Sequence, residues 1–352
     1  MNKNKEFSNI LILWYLKNKR DLPWRKTREP YLIWLSEIIL QQTQIKQGTS
    51  YYLKFVENFS NISLLAEADE KSILKLWQGL GYYSRARNLH KTARHISHNL
   101  NGVFPDNYQD LKKLKGVGDY TASAIASFCY NLPEATVDGN VYRVLSRYFG
   151  IATPINSTKG IKEFKQLAQL LIDPDNPGTH NQAIMEFGAL MCKPAKPHCS
   201  DCPLNTSCFA LQNNQVNALP VKINKVKIKK RHFNFIVINN NDEQTYIQQR
   251  NGNDIWKNLF QFPLYESTHE IEPEKIIESP IFQELLKNES YSISKFNQKQ
   301  IIHKLTHQHL YTTFWVVDLN AQIKNTVLWK NLNTFALPTL IQNFVDNFKN
   351  GD

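Results

Sequence analysis

From the amino terminus to about residue 211, apolar positions recur at helical spacing. Phe7, Ile10, Leu11 and Trp14 open the pattern. Periodic segments then follow one another, separated by short turns such as GVFPDN, KGVG and DPDNPG. Past residue 231 the period changes. HFNFIVIN, QTYIQQR, LFQFPLY and HLYTTFWVVDL are β-branched and aromatic runs that predict strands, whereas PEKIIESPIFQELLKN and LPTLIQNFVDNFKN predict helices. The expected fold is multi-domain: an all-α domain over residues 1–215, a linker over 216–230 and an α+β domain over 231–352. The linker region carries VKINKVKIKKR, with six basic residues, no acidic ones and no helical stripe, which reads as a solvated charge run.

Composition narrows the setting. The 352 residues are 42% hydrophobic, enough for two ordinary domains. The net charge of +11 suits a polyanionic partner such as nucleic acid, although an Asn-, Ile- and Lys-rich composition of the kind an AT-rich genome produces would also give it. The apolar run Ile10–Leu16 is followed by Lys17, Lys19 and Arg20 rather than a small-residue cleavage site, so it reads as a first helix and not a leader. No apolar run approaches the roughly 20 residues of a membrane span. Five cysteines are too few for a secreted disulfide scaffold. A cytoplasmic location is expected, where clustered cysteines bind metal.

Four of those cysteines, Cys192, Cys199, Cys202 and Cys208, fall at C-x6-C-x2-C-x5-C. Zinc ribbons pair two knuckles about 12–20 residues apart. Here a single C-x2-C has the outer cysteines close on either side, a wrap that suits a small iron–sulfur cluster. Zinc held by four thiolates is the other occupant the spacing allows. Cys129, in SAIASFCYN, reads as a buried thiol.

LKKLKGVGDYTASAIASF places Gly116, Val117 and Gly118 between two helical stretches. The glycines allow a tight turn with positive φ, and a helix starting near Asp119 would turn free N–H groups toward an anion. Alone this is a turn; beside the basic charge it reads as a grip on a phosphate backbone.

Two carboxylates stand out. Glu37 is the only charge in PYLIWLSEIIL and shares a helical stripe with Ile33, Leu40, Gln41 and Gln44. Periodicity alone allows a Glu at the solvent edge of a buried helix; burial would instead raise its pKa and keep a proton available near neutral pH. Asp138 begins DGNVYRVLSRYFG, where capping the helix is the default role and a helix N-terminus favours the ionised form.

The hairpin, VDGNVYRVL and the four cysteines together resemble the endonuclease III superfamily of base-excision DNA glycosylases. LPWR, WLSEIILQQTQ and LWQGLGYYSRARNLH bring the resemblance to MutY-type adenine glycosylases, over essentially the whole chain. It implies a [4Fe–4S] cluster on the four cysteines and double-stranded DNA with adenine opposite 8-oxoguanine or guanine as partner. It also implies a monomeric, nucleoid-associated enzyme. Glu37 then matches the acid that protonates N7 of an extruded adenine, and Asp138 the carboxylate that stabilises charge at C1′. Asn140 matches an orienting position. Tyr120 stands where bifunctional relatives carry the Schiff-base Lys, so a monofunctional enzyme is expected. A bifunctional pyrimidine glycosylase-lyase and a non-catalytic DNA-binding factor are the rival readings.

The resemblance also assigns recognition residues. Gln182, Trp24, Arg25 and Leu40 match the base pocket; Gln42, Thr43, Leu80 and Tyr82 match residues that enter the stack or contact 8-oxoguanine. The second domain resembles a Nudix-like domain whose hydrolase signature is missing between residues 250 and 290, so recognition rather than hydrolysis is expected. Thr306 and His307 match the loop that touches 8-oxoguanine, where Leu305 replaces an aromatic ring.

Overall fold

The computed structural model describes residues 3–223, 227–286, 289–321 and 323–349. Residues 224–226 of the expected linker lie outside them. The chain divides into two compact units, one of residues 1–68 and 84–224 and the other of residues 69–83 and 225–352.

The first unit is helical. Its opening helix, Lys3–Asn18, buries Phe7, Leu11 and Tyr15, a stripe one step round from the expected one, since Ile10 and Trp14 are half-buried. Those side chains join Val141, Leu145, Phe164 and Phe187 in one core. The helix Pro30–Leu40 has Pro30 in its first turn, where a missing N–H costs nothing, and is buried from Ile33 to Ile39. It ends earlier than the Glu37 stripe suggested. Gln42 takes φ +56, and Arg85 Nη1 donates to the carbonyls of Ile38, Ile39 and Gln41 at 3.0, 3.0 and 2.5 Å. A cation on the terminal carbonyls closes the helix there. Gln44 instead stands at the N-cap of the next helix, Ile45–Asn58.

The helix Asp119–Tyr130 packs against Pro30–Leu40 and Pro177–Leu190. Its small residues Ala122, Ser123, Ala124 and Ala126 are fully buried, which permits that closeness. Gly116, just before it, has φ +82, and a Cβ there would lie 2.9 Å from Asn88 Cβ. Gly118 differs from expectation: its φ of −97 and ψ of −177 are extended, and a Cβ there would meet nothing. Only the first glycine of the hairpin is required by conformation.

The second unit is built on a five-stranded sheet. Lys229–Asn240 and Gln308–Leu319 pair in parallel at its centre. Leu264–Ser267 flanks the first, and Tyr291–Lys295 and Ile301–Lys304 both pair with the second, all antiparallel. The central strands are buried on both faces, from Phe235 to Ile238 and from Phe314 to Val317, as uninterrupted apolar runs predict. Trp315, Ile236, Ile238 and Phe282 form a core on one side. Three expected elements are broken. QTYIQQR holds two short strands, Gln244–Thr245 and Gln248–Gln249. LFQFPLY splits into Phe260–Gln261 and Leu264–Ser267 around Pro263, which has no N–H for a ladder. PEKIIESPIFQELLKN is two helices, Pro273–Ile277 and Pro280–Leu286, because Pro280 cannot continue the first.

Segment 69–83 belongs to this second unit. Its helix Glu70–Leu76 is capped by Asp69, whose side chain accepts from Ser72 N–H. Lys75 Nζ donates to the Phe335 carbonyl at 3.1 Å, and Gln78 Nε2 donates to Gln342 Oε1 at 2.8 Å.

Candidate active site and cysteine-lined cavity

A cleft of about 510 Å³ in the helical unit collects residues from distant parts of the chain. Glu37, Leu40, Gln42 and Thr43 come from the Pro30–Leu40 helix and the turn after it, Trp24 and Arg25 from the short helix Pro23–Arg25. Tyr120, Asp138, Asn140 and Gln182 complete the set expected in the cleft. Trp24 is also a core residue, with its ring edge-on to Tyr52 at 5.3 Å.

Glu37 is 7% exposed. Burial raises its carboxyl to about 7, with Asp138 adding to the rise and Tyr120 and Arg25 working against it. Such a group is half protonated near neutral pH and can deliver a proton. Burial of Tyr120 and the two nearby carboxylates hold its phenol well above the usual range, so it stays protonated.

Asp138 caps the helix Gly139–Phe149. Its Oδ1 accepts from the backbone N–H groups of Asn140 and Val141 at 2.9 and 2.8 Å. Burial raises its carboxyl, and these bonds with the nearby Arg143 charge oppose the rise. A network runs on from it. Arg143 Nη2 donates to Asn140 Oδ1 at 2.8 Å and to the Gly188 carbonyl at 2.6 Å, and its Nε donates to the Cys192 carbonyl at 2.7 Å. Gly188 is required for this closeness, since a Cβ there would lie 2.6 Å from Asn140 Cβ.

Sequence reasoning missed a buried ion cluster on the cleft wall. Glu186 is 1% exposed and takes two forked guanidinium contacts. Arg20 Nε and Nη2 donate at 2.9 and 2.5 Å, and Arg25 Nη1 and Nη2 at 2.9 and 2.8 Å. Burial works against its charge, but the arginines outweigh it and hold the carboxyl down at about 2. Glu186 follows Gln182 by one helical turn, a signal that a search for polar residues on the Gln182 face would have caught.

The structure does not bring every expected residue to this cleft. Gly116, Val117 and Gly118 form the hairpin turn before Asp119, outside the cleft lining. Leu80 and Tyr82 lie in the second unit, Leu80 buried and Tyr82 exposed. Gly79, Gly81 and Tyr82 all have positive φ. Thr306 and His307 are the exposed tip between two paired strands, closed by Leu305 N–H donating to the Gln308 carbonyl at 2.8 Å. The Tyr82 hydroxyl and Thr306 Oγ1 are hydrogen-bonded.

Cys192, Cys199, Cys202 and Cys208 line one small cavity with Arg147 and His198. Four soft donors around a shared space fit a thiolate-held metal centre. Arg147 Nη1 donates to Cys192 Sγ at 3.5 Å and to the Lys193 carbonyl at 2.7 Å, a cation suited to balance thiolate charge. Cys129 lies elsewhere, and burial pushes its thiol up to about 12. No helix among the described residues is long and apolar enough to cross a membrane.

Comparison with known proteins identifies the family. Residues 35–170 match the HhH-GPD superfamily base excision DNA repair protein family, and residues 234–347 match the NUDIX domain. The chain is 36% identical over 356 residues to an adenine DNA glycosylase of Buchnera aphidicola, covering 97% of each. It is 42% identical over 215 residues to the adenine DNA glycosylase of Homo sapiens, covering 58% of this chain and 39% of that one. The solved structure of a thermostable thymine-DNA glycosylase matches with a TM-score of 0.56 and 30% identity, covering 60% of this chain and 97% of that one. The chain is thus a DNA N-glycosylase that binds DNA, and it belongs to the adenine DNA glycosylase family of base-excision repair enzymes.

Proposed function

We propose that this enzyme excises adenine paired with 8-oxoguanine or guanine in double-stranded DNA, acting as a monomer on the bacterial nucleoid. The observation that carries the reading is Glu37, buried on the wall of a base-sized cleft with its carboxyl raised to about 7. In this account the adenine nucleotide is turned out of the stack into the cleft. Glu37 gives its proton to N7, and the C1′–N9 bond breaks with its electron pair leaving on the base. Asp138 faces the positive charge that develops at C1′. Water then adds to C1′ and returns a proton to Glu37, leaving an abasic site. Proton transfer of this kind is worth roughly 10²–10⁴ in rate; positioning and the Asp138 charge supply the rest.

Tyr120 carries no amine, so no imine forms and the strand is not cut by elimination. Asn140 holds Asp138, and Trp24, Arg25, Leu40 and Gln182 bound the base. Gln42, Thr43, Leu80 and Tyr82 act on the stack and the opposite base. The hairpin at Gly116, Val117 and Gly118 grips phosphate. Thr306 supplies a hydroxyl and His307 an imidazole toward 8-oxoguanine. The four cysteines would hold a [4Fe–4S] cluster, which when bound fixes the fold of residues 192–208.

Single-turnover excision on duplexes with adenine opposite 8-oxoguanine, guanine and thymine tests the reading. Release is expected from the first two; absence of release from both would overturn it. Borohydride trapping of a covalent adduct would favour a lyase instead.

A further inference from the structure

We propose that Tyr15 is a specificity-determining positioning residue: by holding Gln182 Oε1 it fixes which way the Gln182 amide faces the base. It thereby sets which substituent at purine C6 the cleft accepts. The Tyr15 hydroxyl donates to Gln182 Oε1 at 2.5 Å. Gln182 belongs to the cleft wall and Tyr15 does not, so Tyr15 acts through its neighbour.

The phenol is itself held. It is 4% exposed, with Lys19 Nζ and Arg25 Cζ over its ring at 5.6 and 5.5 Å. Arg25 is in turn forked onto Glu186. Burial raises the Tyr15 pKa, so its oxygen keeps its proton and remains a donor at neutral pH. A hydroxyl has one proton to give. Were the amide turned over, its NH₂ would donate to the phenol oxygen and the hydroxyl proton would lose Gln182 as its acceptor, so the buried phenol favours the orientation in which Oε1 faces it.

An amide of fixed polarity has a chemical consequence. Adenine offers an amine donor at C6 beside an acceptor at N1. Hypoxanthine offers an oxo acceptor at C6 beside an N1–H donor, the same edge with both signs reversed. An amide held in one sense complements one of these edges and opposes the other. The proposal rests on Gln182 facing the extruded base.

The test compares single-turnover excision of adenine and of hypoxanthine, each opposite 8-oxoguanine, in wild type, Tyr15→Phe, Gln182→Ala and the double variant. Tyr15→Phe is expected to narrow the adenine preference about tenfold, the effect of one misdirected hydrogen bond. Gln182→Ala narrows it at least as far, and adding Tyr15→Phe to it changes the ratio no further. If Tyr15→Phe slows both substrates equally while Gln182→Ala alters the ratio, the role of Tyr15 is overturned and Gln182 keeps its place. If Gln182→Ala leaves the ratio unchanged, the placement of Gln182 against the base fails.

Discussion

Asn140 Nδ2 donates to Asp138 Oδ2 at 2.7 Å, while the Asn140 backbone N–H donates to Asp138 Oδ1 at 2.9 Å. One residue therefore holds both carboxylate oxygens, and the cap and the charge reside in the same group. They can be separated. Asp138→Asn keeps the cap but sets an NH₂ against Asn140 Nδ2, and is expected to cost about 1 kcal/mol while lowering excision about 10²–10³-fold. Asp138→Ala should lose the cap as well, at about 1 kcal/mol more in denaturant unfolding. Equal loss of stability in both variants would contradict this division.

Glu37→Gln preserves shape and hydrogen bonding but carries no acid. Excision of adenine should fall by about 10²–10⁴, whereas binding to the mispaired duplex in a filter or gel-shift assay should stay within a few fold. Full excision by this variant would place the acid elsewhere.

The pH dependence follows from burial of the same group. With the Glu37 carboxyl raised to about 7, the proton donor is present below that value and lost above it, so single-turnover rates should decline as pH rises through about 7. Stability follows the same direction. A buried acid whose folded pKa exceeds its unfolded value contributes fully below the ordinary carboxylate range, and that contribution is lost as pH rises through about 7. The whole loss is about 3 kcal/mol between pH 4 and 9, and Glu37→Gln should abolish it in unfolding curves taken at those two values.

The hairpin glycines make an internally controlled pair. Gly116→Ala places a Cβ 2.9 Å from Asn88 Cβ on a residue at φ +82, and should cost about 1–2 kcal/mol and weaken DNA binding irrespective of sequence. Gly118→Ala meets open space at an extended φ and should leave stability within about 0.5 kcal/mol. Similar destabilisation by both would show that the turn is not what Gly116 secures.

Purified protein should be brown, with broad visible absorption from iron–sulfur charge transfer. Cys199→Ser should bleach it and lower the melting temperature. A colourless folded protein holding one zinc ion would count against the cluster.

Much of the helical unit was legible because each signal is local. Asp138 before an amphipathic run, glycines on either side of Val117 and four cysteines within seventeen residues are each readable from a short stretch of chain. Glu37 was visible as an isolated charge in an apolar helix, but periodicity alone also allowed a solvent edge, and its burial on the cleft wall came only with the fold. The Arg20–Glu186–Arg25 cluster was not visible, because Glu186 stands more than 160 residues from both arginines and looks like an ordinary charged surface residue until folded. Tyr15 was hidden for the same reason: its ring fits the apolar stripe, and nothing in the sequence shows where its hydroxyl ends. In the second unit the long central strands were plain. The short ones were overextended, because a two-residue strand is defined by its partner rather than by its composition.

The inclusion of residues 69–83 with the carboxy-terminal half bears on how such an enzyme can be dismantled. Trimming the protein after residue 224 would strip Lys75 and Gln78 of their acceptors on Phe335 and Gln342 and leave Glu70 without Asn258. The shortened enzyme would therefore expose a stretch ending at Leu80 and Tyr82. Any defect it shows in handling damaged DNA would mix the missing half with the loosening of this loop.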